Sequence, residues 1–216
     1  YCRCITNCGK KVIQSKPLKL KPICEGKLCN LIRNIKWHVY IFHSTNHSRR
    51  WKNLQAFTCI SPRKLKTFSE KGFSMKNISD ETRNPRIKIK ATIGIQIKHD
   101  LIHEDYEKEF VVNSLPDEKN EGGGCSVTPD DGFAVETLFN ITCIGWNDED
   151  KPLKYEYHYN TSAGIVINYP KAIKNMLSTY LPAGDRAKDF ELLVGIIVMD
   201  KLGDKRTSKI RVKVRQ

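Results

Sequence analysis

Eight cysteines are the residues of this 216-residue sequence that most directly suggest chemistry. They stand at positions Cys2, Cys4, Cys8, Cys24, Cys29, Cys59, Cys125 and Cys143. Cysteines bind zinc as thiolates, and in an oxidising compartment they join in disulfides. The intervals from Cys4 to Cys8 and from Cys24 to Cys29 are roughly those of zinc fingers, whereas the even count fits disulfides.

Four N-x-Ser/Thr sequons favour disulfides over zinc. Their acceptors are Asn46, Asn77, Asn140 and Asn160. One sequon arises easily by chance, but four of them beside eight cysteines and many strand patterns favour the secretory route. We therefore predict disulfides, with glycosylation at these asparagines. The first residues, YCRCITNC, lack the apolar stretch of a signal peptide, so we expect this sequence to be a segment of a longer precursor.

Two acidic clusters could act as paired carboxylate catalysts. They are Asp130 with Asp131, and residues 148–150 (DED). Both fall in predicted turns, where acidic residues usually serve solubility. Asp148 and Asp150 also have the D-x-D spacing of a calcium loop, but the glycine and bidentate glutamate of such a loop do not follow.

Other enzyme and metal signatures are missing from the sequence. It contains no G-x-S-x-G, no HExxH and no phosphate-binding glycine loop. His38, His43 and His47 are close in sequence, but their spacing does not place all three on one face of a regular element. We therefore predict no catalytic residue, no metal site and no cofactor.

The net charge of +13 raises the question of an anionic partner. Many basic residues alternate with apolar ones, as at Lys88, Lys90, Lys209 and Arg211, which is typical of the solvated face of a strand. No nucleic-acid-binding motif accompanies them, so nucleic acid is not a predicted partner. An attraction to anionic glycans or acidic proteins is physically reasonable, but a solvated basic surface is the preferred interpretation. No apolar run reaches 18 residues, so no stretch is predicted to span a membrane.

The elements that position these residues are predicted to be β-strands. In residues 86–98 isoleucines alternate with lysines and small polar residues, which indicates a strand buried on one face. Residues 35–42, with Trp37 assigned to the core, and residues 139–159 show the same period, the latter as two strands around a polar turn. Residues 190–200 are apolar on both faces and predict a central strand.

A charged, glycine-rich stretch at residues 116–124 (PDEKNEGGG) is the clearest boundary. It predicts a linker between a cysteine-rich β-sandwich at residues 1–115 and a second sandwich at residues 125–216. The second region shows about seven short strands separated by turns, which fits a fibronectin type III or immunoglobulin-like sandwich. The predicted fold class is therefore all-β, with two tandem antiparallel β-sandwiches.

An ordered set of short stretches runs from one end of the chain to the other. It comprises CITNC at 4–8, LKL at 18–20, Cys24, Cys29, Trp37, CSVTP at 125–129, GFA at 132–134, Thr137, Phe139, Cys143, Trp146, PLKY at 152–155, LPAG at 181–184 and VMDKLG at 198–203. In order and spacing this set resembles the receptor-for-egg-jelly (REJ) region of the large receptor-like polycystins. Cys2 and Cys59 depart from that pattern.

The resemblance implies a non-catalytic ectodomain module of a multi-pass membrane protein at the plasma or ciliary membrane. Such a module precedes a proteolysis site, a lipid-binding-like cytoplasmic domain and membrane helices, and serves spacing, adhesion or ligand presentation. Its implied partners are other ectodomain modules of the same chain, a polycystin-2-type cation channel subunit, and an extracellular protein or glycan. The alternatives are a secreted calcium-binding adhesion module unrelated to polycystins and a basic glycan-binding domain.

The expected disulfide pairs differ in their support. Cys125 and Cys143 are the two cysteines of the second region and flank adjacent strands, so we expect them to pair. The other six cysteines permit 15 pairings. For these we expect the pairs Cys4–Cys24, Cys8–Cys29 and Cys2–Cys59.

Overall fold

The computed structural model describes residues 2–23, 27–44, 49–60, 73–75, 86–118, 124–160 and 166–216. The chain divides into two compact units, Tyr1–Ser114 and Leu115–Gln216. Regular structure in the described residues consists of strands and two short 3-10 helices, Lys27–Leu31 and Arg186–Lys188. The predicted all-β class is confirmed.

The first unit contains eight described strands in two sheets. They are β1 (Cys2–Thr6), β2 (Lys11–Val12), β3 (Leu18–Pro22), β4 (Ile32–Ser44), β5 (Arg49–Ile60), β6 (Phe73–Met75), β7 (Arg86–Ile97) and β8 (Asp100–Val112). One sheet has the order β1-β3-β6 and the other the order β2-β8-β7-β4-β5. The β2–β8 pair is parallel, and the other pairs are antiparallel.

One hydrophobic core joins the two sheets of the first unit. Trp37 of β4 is 2% exposed and packs in a cluster with Ile89 of β7 and Leu20 of β3. The alternation along β7 buries Ile87 and Ile89 while Lys88 faces outward, as the two-residue period predicts. Because both sheets contribute to this core, the unit is β-sandwich-like.

The second unit contains ten strands in its described part. They are β9 (Asp117–Glu118), β10 (Gly124–Thr128), β11 (Asp131–Phe133), β12 (Leu138–Ile144), β13 (Trp146–Asn147), β14 (Lys154–Asn160), β15 (Val166–Asn168), β16 (Met176–Tyr180), β17 (Glu191–Met199) and β18 (Lys205–Arg215). The sheets have the orders β10-β12-β16 and β11-β18-β17-β14-β15, with β9 and β13 as a separate pair. The β11–β18 pair is parallel.

The core of the second unit also draws on both main sheets. Phe139 and Ile141 of β12 pack in one cluster with Tyr157 of β14 and Ile196 of β17. The predicted alternation in the two strands of residues 139–159 is therefore confirmed. The apolar strand β17 lies between β18 and β14, in the central position that its sequence predicts.

The two units repeat one strand order. If the separate pair β9 and β13 is left out of the count, the first, third and sixth strands of each unit form the three-stranded sheet. The second, eighth, seventh, fourth and fifth strands form the five-stranded sheet, and its second and eighth strands run parallel. The sequence analysis predicted two tandem sandwiches but did not predict that they share one strand order.

The predicted linker at residues 116–124 differs from the structure. Its Asp117 and Glu118 form β9, which pairs with Trp146 and Asn147 of β13, and Gly124 begins β10. The Arg206 guanidinium binds the Asp117 carboxylate at 3.0 Å. This ion pair and the backbone pairing with β13 hold Asp117 and Glu118, although their sequence has no hydrophobic pattern. The unit boundary falls after Ser114, and residues 119–123 lie outside the described part.

Candidate functional site

A disulfide joins Cys125 of β10 to Cys143 of β12, the pair that the sequence analysis expects. The two residues lie directly opposite each other on adjacent antiparallel strands, with their Cα atoms 4.0 Å apart. Cys143 is buried in the core. The bond therefore ties the first strand of the three-stranded sheet to its middle strand.

A second disulfide joins Cys4 to Cys8 across a short turn. Asn7 adopts the left-handed conformation at φ 62°, which asparagine tolerates better than most residues. Its Nδ2 donates to the carbonyl oxygen of Ile13 at 2.8 Å, and its Oδ1 accepts from the Ile13 amide at 2.9 Å. The turn thus returns Cys8 to Cys4, with their Cα atoms 5.9 Å apart.

The expected pairs Cys4–Cys24 and Cys8–Cys29 are therefore wrong. The available signal was the CITNC segment itself, because an asparagine between two nearby cysteines can supply the left-handed turn. Cys29, in the first 3-10 helix, is also disulfide-bonded. Cys24 and the side chains of Cys2 and Cys59 lie outside the described residues, so the Cys2–Cys59 pair stays a prediction.

Asn140 lies on β12 with its side chain on the face opposite the core. It stands across from Ser178 of β16, whose hydroxyl donates to Asn140 Oδ1 at 2.6 Å. That bond uses the carbonyl oxygen of the amide and not Nδ2, the atom that carries an N-linked glycan. Asn140 thus has the outward geometry that glycosylation requires.

The other predicted glycosylation sites do not gather around Asn140. Asn160 is exposed at the end of β14, in the other sheet of the second unit. Asn46 and Asn77 lie outside the described residues. Glycosylation at all four asparagines remains a prediction.

The acidic turns considered as catalytic candidates have structural partners. Asp148 is buried, and its Oδ1 accepts from the amide of Asp150 at 2.7 Å. Asp200 is also buried and accepts from the amides of Gly203 and Asp204 at 2.6 and 3.0 Å. These carboxylates hold the backbone of two turns.

The other acidic pair considered as a catalyst, Asp130 with Asp131, also has partners in the second unit. Asp131 pairs with Arg215, and the carbonyl oxygen of Asp130 accepts from the Lys213 amide at 2.8 Å. Within the described part of the chain, no three or more His, Cys, Asp or Glu residues form a group that could hold a metal ion. The sequence analysis missed the buried Asp200, although its D-x-x-G spacing is typical of a turn.

A ladder of opposite charges covers the outer face of β7 and β8 in the first unit. Lys90 Nζ lies 2.6 Å from Asp105 Oδ2, and Lys88 Nζ lies 3.4 Å from Glu107 Oε2. The hydrogen bond from Lys90 lowers the pKa of the Asp105 carboxyl, with a smaller contribution from Thr92, and the same bond to Asp105 raises the pKa of Lys90. The outward lysines of β7 are thus paired with acidic residues of the neighbouring strand.

An aromatic row borders this charge ladder. Lys88 Nζ lies 5.0 Å from the ring centroid of Trp51 and 5.7 Å from that of Tyr40. The Arg86 guanidinium lies 5.4 Å from the centroid of Phe42. Cations at these distances interact favourably with aromatic faces, so the same basic side chains bridge the acidic and aromatic rows.

A cavity of about 470 Å³ opens on the second unit. His158 of β14 lies over Gly195 of β17, where a side chain would place its Cβ 2.3 Å from the imidazole Nε2. Lys188, Lys209 and Glu191 contribute to its polar wall. A larger residue at position 195 would force the imidazole ring to move, because the ring occupies the space above the glycine.

The comparisons with known proteins identify the family. A family model described as the REJ domain matches residues 1–216, the whole chain. The chain therefore belongs to the REJ domain family, as its ordered set of cysteine, tryptophan and glycine stretches predicted. Among the described residues, no helix is long and apolar enough to cross a membrane.

One solved structure is similar to this chain. It is described as a Ca²⁺-stabilized adhesin that helps an Antarctic bacterium reach out and bind ice, at 9% sequence identity and a TM-score of 0.42. The match covers 100% of this chain and 48% of that chain. The present chain thus spans about half of the adhesin structure, and a similarity of this size supports no argument about function.

Proposed function

We propose that the chain is a non-catalytic extracellular module, the REJ region of a polycystin-like membrane receptor or channel subunit. Its role is spacing, adhesion or ligand presentation. The observation that carries the proposal is the match of the REJ domain model to residues 1–216. The disulfides Cys4–Cys8 and Cys125–Cys143 support the extracellular location, because such bonds persist in oxidising compartments.

Each unit is, on this proposal, a sandwich of the fibronectin type III or immunoglobulin-like kind. Support comes from the split of eight strands in each unit, with β9 and β13 left out, into sheets of three and five, and from the single core shared by both sheets. In the first unit, Trp37 is buried on the fourth strand, β4. This position matches the buried tryptophan of the third main strand in immunoglobulin domains, if β1 and β2 are two parts of one first strand.

The non-catalytic part of the proposal rests on the partners of the acidic residues. Asp148 and Asp200 accept backbone hydrogen bonds within turns, and Asp131 pairs with Arg215. A carboxylate that orders a turn or pairs with a guanidinium has a structural role, because at least one of its oxygens is engaged by backbone amides or by the guanidinium. The described surface instead offers faces suited to contact.

The proposed partners are other ectodomain modules of the same chain, a polycystin-2-type channel subunit, and an extracellular protein or glycan. The module would stand on the extracellular side of the plasma or ciliary membrane and contribute to regulation of a cation channel complex. The mixed charges of the β7–β8 ladder and the bordering aromatic row support contact with a protein or glycan surface.

Bead adhesion tests the proposal. The 216-residue chain is secreted from animal cells, coupled to beads, and applied to cells with or without a polycystin-2-type subunit and to immobilised neighbouring ectodomain segments. We expect retention above that of beads carrying the reduced and alkylated chain, with more retention on cells that express the subunit. Retention equal to the unfolded control on every surface would overturn the adhesive role, and equal binding to both cell types would overturn the channel partnership.

A further inference from the structure

The outer face of the sheet β10-β12-β16 in the second unit carries no charged residue. The outward residues are Ser126 and Thr128 of β10, Leu138, Asn140, Thr142 and Ile144 of β12, and Met176, Ser178 and Tyr180 of β16. We call this set the Asn140 face. Charged residues make up 28% of the chain, so a whole sheet face without one is a specific feature of this surface.

The Asn140 face exposes large apolar side chains at both ends. Leu138 and Tyr180 lie opposite each other at one end and are 46% and 54% exposed. At the other end Met176 and Ile144 are 39% and 55% exposed. Apolar groups gathered on one exposed face usually indicate a surface that something covers.

Asn140 lies at the centre of this face. Leu138 and Thr142 flank it along β12, and Thr128 and Ser178 lie beside it on the neighbouring strands. The two-residue period of the strand places both the asparagine and the threonine of the sequon on the outward side. The 2.6 Å hydrogen bond from Ser178 to Asn140 Oδ1 fixes the orientation of the amide.

A glycan on Asn140 would have suitable partners on either side. Tyr180 and Met176 are diagonal neighbours of Asn140 across the β12–β16 pair, and diagonal positions in a sheet lie about 7–8 Å apart, within reach of long side chains. A pyranose ring has an apolar C–H face that packs on aromatic and aliphatic groups, while its hydroxyls keep contact with water. The Asn140 face offers this combination of an aromatic ring, aliphatic groups and hydroxyls.

We infer that the N-linked glycan of Asn140 covers the Asn140 face, with its first sugars packed on Leu138 and Tyr180. A branched glycan at the centre of the face excludes a second protein chain from it, so the sugar is the single occupant. Glycosylation then serves as a structural cover for apolar surface. The inference rests on the proposed extracellular location, because N-glycosylation requires the secretory route.

Glycopeptide mapping of the secreted chain separates the two proposals. We expect an occupied sequon at Asn140. Glycans at other sequons with none at Asn140 would overturn the inference and leave the extracellular proposal standing. Complete absence of glycans would contradict both.

Removal of the sequon tests the covering role. Asn140→Gln and Thr142→Ala each abolish the sequon, and Asn160→Gln is the matched control on the other sheet. We expect the first two variants to bind a hydrophobic dye more strongly than the wild type and to melt about 2–4 °C lower. The control is expected to do neither. Unchanged dye binding and melting temperature in the first two variants would overturn the inference.

Nuclear magnetic resonance of the wild-type glycoprotein tests the contact without a variant that could misfold. With isotope-labelled N-acetyl groups, we expect an Overhauser contact between the first acetyl methyl of the Asn140 glycan and the Tyr180 ring. Tyr180→Ser, which keeps the sequon, should abolish that contact and speed enzymatic release of this glycan from the native protein. If Tyr180→Ser changed neither the acetyl signals nor the release rate, the proposed packing of the glycan on Tyr180 would be contradicted.

Sedimentation addresses a second copy of the chain as the occupant. We expect that the glycosylated chain does not dimerise through the Asn140 face. A dimer of the glycosylated chain that Tyr180→Ser dissociates would assign the face to another chain and overturn the inference.

Discussion

The two units of the chain share one strand order, but disulfides fasten them at different places. In the first unit Cys4 and Cys8 close a turn at the end of β1, four residues apart in sequence. In the second unit Cys125 and Cys143 join β10 to β12 across 18 residues. The same sheet order forms around each of these two described crosslinks, and in both units the strands bury alternate residues. We infer that the strand order follows from this buried alternation.

The outer faces of equivalent strands also differ. The outward side of β7 presents Lys88 and Lys90, each facing an acidic partner on β8. The outward side of β17, the equivalent strand, presents Gly195 beneath His158 and a partly exposed Ile197. The inward faces of both strands are apolar in the two units, so the core is repeated while the surface is free to vary.

Truncation of a core aromatic residue in either unit is expected to have the largest effect. Trp37→Ala in the first unit and Phe139→Ala in the second should each lower the free energy of unfolding by about 3–5 kcal/mol, through lost burial and a cavity. Hydrogen exchange in the full chain should show lost protection in the strands of the unit that carries the substitution. Equal loss across both units from either variant would contradict two separate cores.

The loss of stability on removing each disulfide should increase with the length of the loop that the disulfide closes. The Cys125→Ser/Cys143→Ser variant should lose about 3 kcal/mol and Cys4→Ser/Cys8→Ser about 2 kcal/mol, because a longer loop loses more chain entropy when it is closed. Denaturant unfolding under non-reducing conditions measures both. A larger loss from the Cys4/Cys8 variant would show that the Asn7 turn, and not loop closure, decides the stability of the first unit.

Replacement of Tyr157, one of three core tyrosines of β14, should change the free energy of unfolding less and in the opposite direction. Tyr157 is 3% exposed, and its hydroxyl has no hydrogen-bond partner among the described residues. Tyr157→Phe removes this buried polar group and should raise the free energy of unfolding by up to about 1 kcal/mol. Tyr180→Phe, at an exposed position, is the control and should change little. Destabilisation by Tyr157→Phe would mean that the hydroxyl has a favourable partner.

The same tyrosine predicts a pH dependence in alkali. Burial, with a smaller contribution from Tyr155, raises the pKa of Tyr157 to about 12. An unfolded tyrosine has a pKa of about 10, so the folded state holds this proton more tightly. The contribution to stability is complete below about pH 10 and is lost as the pH rises through about 12. Tyr157→Phe should therefore flatten the stability curve between these pH values, as unfolding at a series of alkaline pH values would show.

The charge ladder of the first unit should have the smallest effect. Asp105 has a lowered pKa, so its contribution is present above the pKa of an unfolded aspartate and is lost as the pH falls through the lower folded value. Asp105→Asn should destabilise the chain slightly near neutral pH and not at all in strong acid. The difference should shrink at high salt, because both partners are exposed. A salt-independent effect would show that the ladder acts through packing.

The strands and core residues could largely be predicted from the sequence. The alternation of isoleucine and lysine in β7 and the apolar run of β17 specify buried faces directly, because side chains in a strand alternate. The pairing of Cys125 with Cys143 follows from their isolation in the second unit. REJ family membership was predicted from ordered stretches spread along the whole chain and is confirmed by the family match.

Other features depend on geometry that the sequence pattern does not carry. The Cys4–Cys8 bond depends on the left-handed conformation of Asn7. The β9–β13 pair has no hydrophobic period, because each strand has two residues and both residues of β9 are charged. The uncharged Asn140 face depends on the register that places β10, β12 and β16 side by side, and these strands are not consecutive in the sequence.

Peptide mapping of the secreted chain without reduction tests the central claim, two units of one strand order with separate crosslinks. The account predicts one peptide pair linked through Cys125 and Cys143 and another fragment closed by Cys4 and Cys8. Mapping would also identify the partner of Cys29, which is disulfide-bonded. A bond from Cys125 or Cys143 to any cysteine of the first unit would contradict the account.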